Sequence, residues 1–433
     1  MSEYKFDTVK VRGGYNSSEH NHSVAVPVYA TAAYDFDDPD HFNRLRAGVE
    51  AGYLYSRIAN PTVAVLEARV AELDGGVAAL GLASGMAAVS YSILAVTGGN
   101  GRVLSTKQIY GGTFDLENDI FPSLGIHFDL ISHDSSIVEW ESNIHDDTKA
   151  IFVESISNPG AKLLDIEAIS EIAHKHGIPL IVDNTFATPY LFNPLKHGAD
   201  IVVYSATKGL NGHGNAIGGV IVEGKAFNWT KDKFPQFYKK HWVSRDTQDN
   251  ERSYIEAFPD FPFTAFVRTK LLAYLGAALS PYDAQLILIG LETLSERVSK
   301  QVSNTREVVK YLQTRTDAVS WINYPEINDS PYKTLADKYF PKGAGTVFSF
   351  GFKGNDEQIA TLLTETKLFG YQANVGDAKS LIVNSPKTTH GELRPNELAD
   401  SGILPETIRI SLGLEDAEDL IDDLAQALTK AGF

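Results

Sequence analysis

Two side chains that stand at the ends of separate apolar runs could do chemistry together. Lys208 closes the β-rich run ADIVVYSATK and precedes the glycine-rich stretch GLNGHGNAIGG, while Asp183 lies near the end of the earlier run IPLIVDN. Ligands of α/β sheets bind at the carboxyl ends of strands, so an amine and a carboxylate are expected to meet there. An amine that bonds a cofactor carbonyl and an acid that binds a pyridine nitrogen are what pyridoxal 5′-phosphate (PLP) needs from a protein.

A third feature supplies a place for a phosphate group. The segment LGLASGMAAVSYSILAV puts Ser84, Gly85 and Met86 at the start of an apolar helix rich in small residues. Backbone N–H groups at a helix N-terminus bind phosphate, and glycine lets the ligand approach closely. The three features together predict a PLP site.

Each feature also has an ordinary structural explanation. A lysine at a strand end can simply be solvated, and Asp-Asn after an apolar run is common turn or helix-capping chemistry. The apolar segment from Leu80 to Val96 could be mistaken for a membrane span, but its serines and Tyr91 favour a buried helix.

Composition limits the other classes of function. The chain has 433 residues, of which 43% are hydrophobic, so it can bury a large core and form two or more subdomains. A formal net charge of −17 disfavours nucleic acid as a partner. The absence of cysteine excludes disulfides, thiol nucleophiles and thiolate zinc sites. The N-terminal sequence MSEYKFDTVKVRGG lacks a basic region followed by an apolar stretch, so we expect a cytoplasmic protein.

The chain divides into an arm and two domains. Residues 1–60 are rich in turn formers and aromatics without periodicity, which is typical of an extended arm, and helical spacing begins in Thr62–Asp74. Apolar runs then alternate with helical stretches, which predicts an α/β fold with a mostly parallel central sheet over residues 61–270. Residues 271–433 are expected to form a smaller α+β domain. The runs read as strands are GRVLST, KAIFVES, IPLIVDN, DIVVYS, AIGGVIVE, GAGTVFSFGFKG, TKLFGYQANVG and ETIRISLGLE; those read as helices are QLILIGLETLSERVSKQVSNTREVVKYLQ and residues 418–431.

Ordered motifs along almost the whole chain resemble the Cys/Met metabolism PLP-dependent enzymes. The resemblance runs from about residue 8 to the C-terminus, and its most specific parts are VDNTFATPY and SATK at their separation. It implies PLP-dependent transferase fold type I, which is aspartate aminotransferase-like, with PLP as the cofactor. The strings that carry it are YSRIANPT, ASGMAA, YGGT, ESISNP, VDNTFATPY, SATKGLNGHG, LGAALSPYDAQLILIGLETLSER, ANVGDAKSL and IRISLGLE.

The resemblance implies roles for individual residues around the cofactor. Lys208 would bind PLP covalently and act as the proton shuttle, and Asp183 would pair with the pyridinium nitrogen. Tyr110 would stack on the ring and take part in catalysis, although the residue alone reads as a core aromatic. Ser84, Gly85, Met86, Ser205 and Thr207 would hold the phosphate; Ser205 could otherwise be an ordinary hydroxyl cap.

Four further residues are implied to complete the site. Tyr55 and Arg57 of the arm would reach the phosphate of a neighbouring subunit, and Tyr55 would also contact substrate, so the active unit would be at least a dimer and is expected to be a tetramer. The alternative is an exposed loop with solvated charge. Asn158 would lie near the phenolic oxygen of the ring, although Asn-Pro is also a turn signal. Arg409 alternates with two isoleucines in IRISL and could bind an amino-acid carboxylate bidentately, or be a surface charge on an edge strand.

The implied reaction is γ-replacement on an O-acylhomoserine. Asn374-Val375-Gly376, whose Asn374 would contact substrate, resembles the sulfhydrylase members, whereas the lyases and cystathionine synthases commonly have Ser-Leu-Gly there. The expected activity is therefore the attack of sulfide on O-acetyl-L-homoserine, which gives L-homocysteine and acetate in methionine biosynthesis. A small thiol is another possible acceptor.

Two places depart from the family pattern: Ser385-Pro386 stands where His-Pro is usual, and Asn211-Gly212 stands where two glycines are usual. Cystathionine γ-synthase and a γ- or β-lyase stay open as alternatives.

Other classes of protein fit less well. Ser205-Ala-Thr-Lys208 also matches the S-x-x-K pattern of serine β-lactamases, but the chain contains neither S-D-N nor K-T-G. The histidine pairs His20/His22 and His174/His176 lack the H-E-x-x-H spacing of a metal hydrolase, so no metal is expected. No membrane partner is expected either, because the apolar segment from Leu80 to Val96 reads as a buried helix. A non-catalytic protein that retains the fold and cofactor is the remaining alternative, and turnover that is lost in Lys208→Ala would exclude it.

Overall fold

The structure is a computed structural model that describes residues 4–225, 227–246, 248, 250–391 and 393–433. Two sheets organise these residues, one built from strands between residues 78 and 223 and one from strands between residues 319 and 411. The strands are β1 (Ala78–Leu82), β2 (Gly101–Thr106), β3 (Ile126–Ile131), β4 (Thr148–Glu154), β5 (Leu180–Asp183), β6 (Ile201–Ser205), β7 (Gly219–Glu223), β8 (Val319–Asn323), β9 (Val347–Phe352), β10 (Leu381–Asn384) and β11 (Thr407–Ser411).

The first sheet has seven strands in the order β1-β7-β6-β5-β4-β2-β3. The strands from β6 through β3 are mutually parallel, and β7 runs antiparallel to both β6 and β1. Most of their side chains are buried on both faces, which explains why they read in the sequence as continuous apolar runs rather than as alternating ones. The prediction of a mostly parallel sheet is confirmed, although β1 and β3 were not among the predicted strands.

Helices cover this sheet and connect its strands. A long helix packs on β1 and another packs on β6 and β7, as the helices of parallel sheets must. The helices are α1 (Phe6–Arg12), α2 (His41–Arg46), α3 (Pro61–Asp74), α4 (Gly85–Thr97), α5 (Gly111–Asp115), α6 (Phe121–Ser123), α7 (Ile137–Ser142), α8 (Ile166–Lys175), α9 (Thr188–Leu191), α10 (Tyr254–Ala257), α11 (Pro262–Phe266), α12 (Ala273–Leu275), α13 (Pro281–Glu292), α14 (Leu294–Thr314), α15 (Lys333–Tyr339), α16 (Asp356–Glu365), α17 (Pro395–Asp400) and α18 (Ala417–Lys430).

Helix α4 shows how the local sequence sets the start and end of an element. The Ser84 hydroxyl accepts a hydrogen bond from the N–H of Ala87 at 3.1 Å and so caps the helix, which ends at Gly98 in the left-handed conformation. The helix has 13 residues, most of them buried. Across the part of the chain that the structure describes, no helix combines the length and apolar character that crossing a membrane would take.

The second sheet is antiparallel, with the order β10-β11-β9-β8. Helices α14, α16 and α18 pack with it around a core that includes Phe348, Phe350 and Ile410. The predicted strand Thr366–Gly376 is wrong, because within these residues only Gly370 forms a bridge, to Leu381. The Asp423 carboxylate accepts the N–H groups of Lys367 and Leu368 at 2.9 and 2.8 Å, so these donors are not available to a neighbouring strand. The sheet edge is formed instead by β10.

The single long helix predicted after Ala284 is also wrong, because the chain breaks at Thr293 into α13 and α14. In an unbroken helix the Gly290 carbonyl would accept the N–H of residue 294. It instead accepts from Arg297 Nη2 at 2.7 Å and from the N–H of Thr293 at 3.3 Å. The same guanidinium donates to the carbonyl of Gly209 at 3.1 Å, so the break fastens α14 to the segment that follows Lys208.

Candidate active site

The carboxyl ends of β4, β5 and β6 meet at one edge of the first sheet, where the chain places Glu154, Asp183 and Ser205. A cavity of about 430 Å³ opens at this edge. Of the residues predicted for the site, all except Tyr55 and Arg57 line it. The cavity lining includes Ser84, Gly85, Met86, Tyr110, Asn158, Asp183, Ser205, Thr207, Lys208, Asn374 and Arg409.

Lys208 lies in the tight turn that follows β6. Its N–H donates to the carbonyl of Ser205 at 3.1 Å, and its carbonyl accepts from the N–H of Gly212 at 2.7 Å. The ammonium group donates to Asn374 Oδ1 at 2.6 Å. Burial and, second, the positive charge of Arg409 lower the pKa of Lys208 to about 8. An amine with this pKa is present in both protonation states near neutral pH, as a group that both removes and returns protons must be.

Asp183 ends β5 and lies directly across from Glu154 in the parallel register of β4 and β5. Its Oδ1 accepts the N–H of Thr185 at 2.9 Å. Burial raises the pKa of Asp183 to about 6 in the protein alone. A cationic partner such as a pyridinium nitrogen would reverse this shift, because an opposite charge nearby favours the ionised carboxylate.

The start of α4 and the turn after β6 form a cradle of hydrogen-bond donors. The N–H groups of Gly85 and Met86 lie in the first turn of α4, where helical N–H groups have no carbonyl partner within the helix. A β-carbon on Gly85 would lie 2.6 Å from the β-carbon of Ser205, so only glycine allows this approach. Donors converging at a helix N-terminus beside two hydroxyl groups, those of Ser205 and Thr207, suit a phosphate group.

Tyr110 stands immediately before α5 at the cavity wall, with 42% of its surface exposed. Its N–H donates to Glu154 Oε1 at 2.9 Å. A β-carbon on Gly112 would lie 2.8 Å from the Tyr110 ring, so Gly112 leaves room for this ring. A tyrosine ring at a cavity wall is not the core aromatic that the residue alone suggested.

Arg409 lies in β11, which has β10 on one side and β9 on the other, so the alternative of a surface charge on an edge strand is wrong. The residue is 3% exposed. Its Nη1 donates to Asn158 Oδ1 at 2.9 Å and its Nη2 to the carbonyl of Asn374 at 3.2 Å. Burial lowers the pKa of Arg409 to about 10, which still leaves it cationic at neutral pH. A buried cation facing a cavity fits a carboxylate ligand.

Tyr55 and Arg57 lie elsewhere on this chain and are exposed. The Arg57 guanidinium is 5.2 Å from the centre of the Tyr55 ring and donates to the carbonyl of Ala273. Next to Ala273, the side chains of Tyr274 and Leu275 are 59% and 61% exposed. The two arm residues therefore do not contribute to the cavity of their own chain.

Glu154 is a buried carboxylate at the cavity that the sequence analysis missed. It is 7% exposed and accepts two backbone N–H groups, those of Tyr110 and Asn158. The signal was available, because Glu154 ends the apolar run KAIFVE in the same way that Asp183 ends IPLIVD. Only the asparagine of that motif had been selected.

The sequence matches the family described as Cys/Met metabolism PLP-dependent enzyme over residues 7–429. A sulfhydrylase of Gibberella moniliformis is 41% identical over 429 residues, which cover 98% of each chain. The O-acetyl-L-homoserine sulfhydrylase of Leptospira meyeri is 39% identical over 434 residues, covering 98% of this chain and 97% of that one.

A solved structure from Campylobacter jejuni is similar over the whole length. That protein is described as an O-acetylhomoserine (thiol)-lyase and carries a pyridoxyl-lysine phosphate. It superposes with a TM-score of 0.93 at 37% identity, covering 98% of this chain and 100% of that one.

Proposed function

The chain belongs to the Cys/Met metabolism PLP-dependent enzyme family, and we propose that it catalyses γ-replacement on O-acetyl-L-homoserine with sulfide, giving L-homocysteine and acetate. It is an enzyme whose cofactor is PLP, and the predicted fold type I is confirmed by the similarity to the Campylobacter jejuni structure and by the two sheets. The proposed reaction belongs to methionine biosynthesis.

The observation that carries the proposal is the position of Asn374. Its side chain accepts from Lys208 at 2.6 Å, and its carbonyl accepts from Arg409 at 3.2 Å. One residue thus joins the proton-transferring amine to the cation that suits a substrate carboxylate. It also begins the Asn-Val-Gly pattern that resembles the sulfhydrylases, and sulfhydrylases are among the proteins to which this chain is similar.

The residues present fit the cofactor. Lys208 would bind PLP covalently, and Asp183 would pair with the protonated ring nitrogen. Tyr110 would stack on the face of the ring, and Asn158 would lie near the phenolic oxygen. The phosphate would be held by the start of α4, which comprises Ser84, Gly85 and Met86, and by the hydroxyl groups of Ser205 and Thr207. Bound PLP supplies an electron sink that stabilises negative charge on carbon atoms of the amino-acid substrate.

The chain's own residues would position the substrate and move its protons. Arg409 binds the carboxylate, which fixes the amino acid in one orientation. Lys208 removes a proton from Cα and later one from Cβ. The Cγ–O bond then breaks, acetate leaves, and hydrosulfide forms the new bond to Cγ. Lys208 returns the protons, which its lowered pKa allows.

A matched turnover assay on PLP-loaded protein tests this function. O-acetylhomoserine is supplied with sulfide in one reaction and with cysteine in another, and O-succinylhomoserine replaces the acetyl ester in a third. We expect homocysteine to dominate, with the acetyl ester the better donor, and the product to disappear in Lys208→Ala. Cystathionine as the main product would instead identify a γ-synthase, and 2-oxobutanoate without either product a lyase.

We propose that the active unit is at least a dimer, with Tyr55 and Arg57 reaching the site of a neighbouring subunit and Tyr55 also contacting its substrate. Two features support this: both arm residues are exposed, and exposed Tyr274 and Leu275 lie beside the carbonyl to which Arg57 donates. A neighbouring subunit packed against this part of the chain would bury these two apolar side chains. A cytoplasmic homotetramer and the division into an arm (1–60), a large domain (61–270) and a small domain (271–433) stay predictions.

The shared site predicts that two defective subunits can complement each other. Arg57→Ala and Lys208→Ala proteins are expected to be poorly active alone at limiting PLP, since one lacks a phosphate ligand and the other the catalytic amine. In a mixed dimer one of the two sites has both residues, so random reassortment should restore about one quarter of the wild-type rate. The measurement is activity after co-refolding of equal amounts. Activity no greater than the mean of the two parents would show that Arg57 serves its own subunit or none.

A further inference from the structure

Glu154 is a buried carboxylate at the cavity for which the proposed function gives no role. It is the last residue of β4, lies across from Asp183 and is 7% exposed. Two acids at adjacent strand ends are electrostatically unfavourable. Burial and then the charge of Asp183 raise the pKa of Glu154 well above its usual range.

Both oxygens of this carboxyl group accept backbone hydrogen bonds. Oε1 accepts the N–H of Tyr110 at 2.9 Å, and Oε2 accepts the N–H of Asn158 at 2.8 Å. These two residues belong to different segments, the start of α5 and the loop after β4. One side chain therefore fastens two separate parts of the cavity wall.

The contacts continue from Asn158 into the second sheet. Asn158 Oδ1 accepts from Arg409 Nη1 at 2.9 Å, and Arg409 lies in the middle of the antiparallel sheet. A connected row thus runs from Tyr110 through Glu154 and Asn158 to Arg409. At one end of the row is the ring that would stack on the cofactor, and at the other is the cation that would bind the substrate carboxylate.

We propose that Glu154 is a positioning residue that holds Tyr110 and, through Asn158, Arg409 in the geometry that binds the amino-acid substrate on the cofactor. The inference rests on the proposed function for the roles of Tyr110 and Arg409. Glutamine in place of Glu154 keeps the size of the side chain but offers one acceptor oxygen, and its NH₂ group would face one of the two N–H donors. One of the two segments therefore loses its anchor.

A purely structural role predicts a different result. If Glu154 only satisfied two buried amides, its replacement would lower stability and leave ligand binding unchanged in the folded fraction. If Glu154 has a positioning role, its replacement changes the visible circular dichroism of the cofactor and weakens the binding of amino acids. Glutamine also removes the cost of burying an ionisable carboxyl group beside Asp183, and this offsets part of the lost hydrogen bond. The melting temperature of the cofactor-free protein should therefore change little.

The test compares Glu154→Gln with wild type and with Glu307→Gln, a substitution at an exposed glutamate of α14. The probe is L-2-aminobutyrate, an α-amino acid without a leaving group at Cγ, titrated into PLP-loaded protein while the cofactor absorbance and circular dichroism are recorded. We expect Glu154→Gln to retain PLP with altered visible circular dichroism and to bind the probe about tenfold more weakly. The KM for O-acetylhomoserine should rise more than kcat falls. Wild-type probe affinity in Glu154→Gln would overturn the proposal.

A double-mutant cycle tests the connection through Asn158. Asn158→Ala is expected to weaken probe binding. The double variant should bind the probe no more weakly than the single variant with the lower affinity, because both substitutions interrupt the same row of hydrogen bonds. Multiplying effects would show independent action and overturn the connection. If Glu154→Gln fails to fold, Glu154→Asp replaces it as the test variant. Aspartate keeps the carboxyl group, shortens the side chain by one methylene and should also weaken probe binding, whereas unchanged affinity overturns the proposal. Probe binding requires neither sulfide nor an acyl group, so it reports on Glu154 even if the proposed function fails.

Discussion

Replacing Lys208 by alanine is expected to lower the rate of homocysteine formation by about 10³- to 10⁴-fold, which is the upper range for loss of a positioned general acid-base group. The structure gives the reason: this amine faces the cavity, has a pKa lowered to about 8 and donates to Asn374, which also contacts Arg409. Initial rates with O-acetylhomoserine and sulfide at saturating PLP provide the measurement.

Two further variants separate the chemistry of Lys208 from its charge. Lys208→Arg keeps a cation and a donor toward Asn374, but a guanidinium does not release its proton at neutral pH and is not expected to replace the amine. It should therefore be as inactive as Lys208→Ala. Lys231→Ala, at an exposed lysine, should keep full activity. Substantial turnover by Lys208→Arg would mean that the charge of Lys208, rather than its proton transfer, supports the reaction.

The parts of the site predicted from the sequence share a simple physical basis. Buried parallel strands are short and apolar throughout, so the polar residue that ends such a run marks the sheet edge where ligands bind. Asp183 ends β5, and Ser205 ends β6 three residues before Lys208. The start of helix α4 was predictable from its residue types. Ser84 supplies a hydroxyl that caps the helix, and Gly85 has no side chain to prevent the close approach of Ser205.

The features that were missed depend on contacts between distant segments. The break at Thr293 arises because Arg297 takes the carbonyl of Gly290, and no local pattern in this amphipathic stretch shows that contact. The segment before Gly376 reads as a strand, but the Asp423 carboxylate, far along the chain, takes its backbone donors. Such tertiary contacts override the helix or strand propensity of the local sequence.

The place of Arg409 needed both kinds of information. Its alternation with two isoleucines put it on the face opposite theirs, while only the strand order showed that β11 is internal and that its neighbours bury the guanidinium. Tyr55 and Arg57 are the reverse case. The resemblance gave them a role, and a single chain leaves them outside its own cavity.

Asp183→Asn is expected to have opposite effects on activity and on the stability of the cofactor-free protein. The neutral amide cannot pair with a pyridinium nitrogen, and a hydrogen bond to a charged group contributes about 1.5–3 kcal/mol, so turnover should fall by about 10²-fold. The amide oxygen can still accept the N–H of Thr185, so the strand end keeps its local geometry. Asp232→Asn, at an exposed position, is the matched control and should behave as wild type.

The stability effect follows from the pKa of Asp183, which burial raises from an ordinary 3.8 to about 6. A raised pKa means that the folded protein holds this proton more tightly than the unfolded chain, so ionisation costs stability as the pH rises from about 4 through 6. Asparagine carries no charge and avoids that cost. Without cofactor at pH 8, Asp183→Asn should therefore melt at a higher temperature than wild type, and its free energy of unfolding should be larger by on the order of 1 kcal/mol. The difference should vanish toward pH 4.

Added PLP should raise the melting temperature of wild type more than that of the variant, because only wild type has a carboxylate for the ring nitrogen. A variant that melts below wild type without PLP at pH 8 would show that the Asp183 charge is already compensated by the protein, and its role as the partner of the cofactor cation would lose its physical basis.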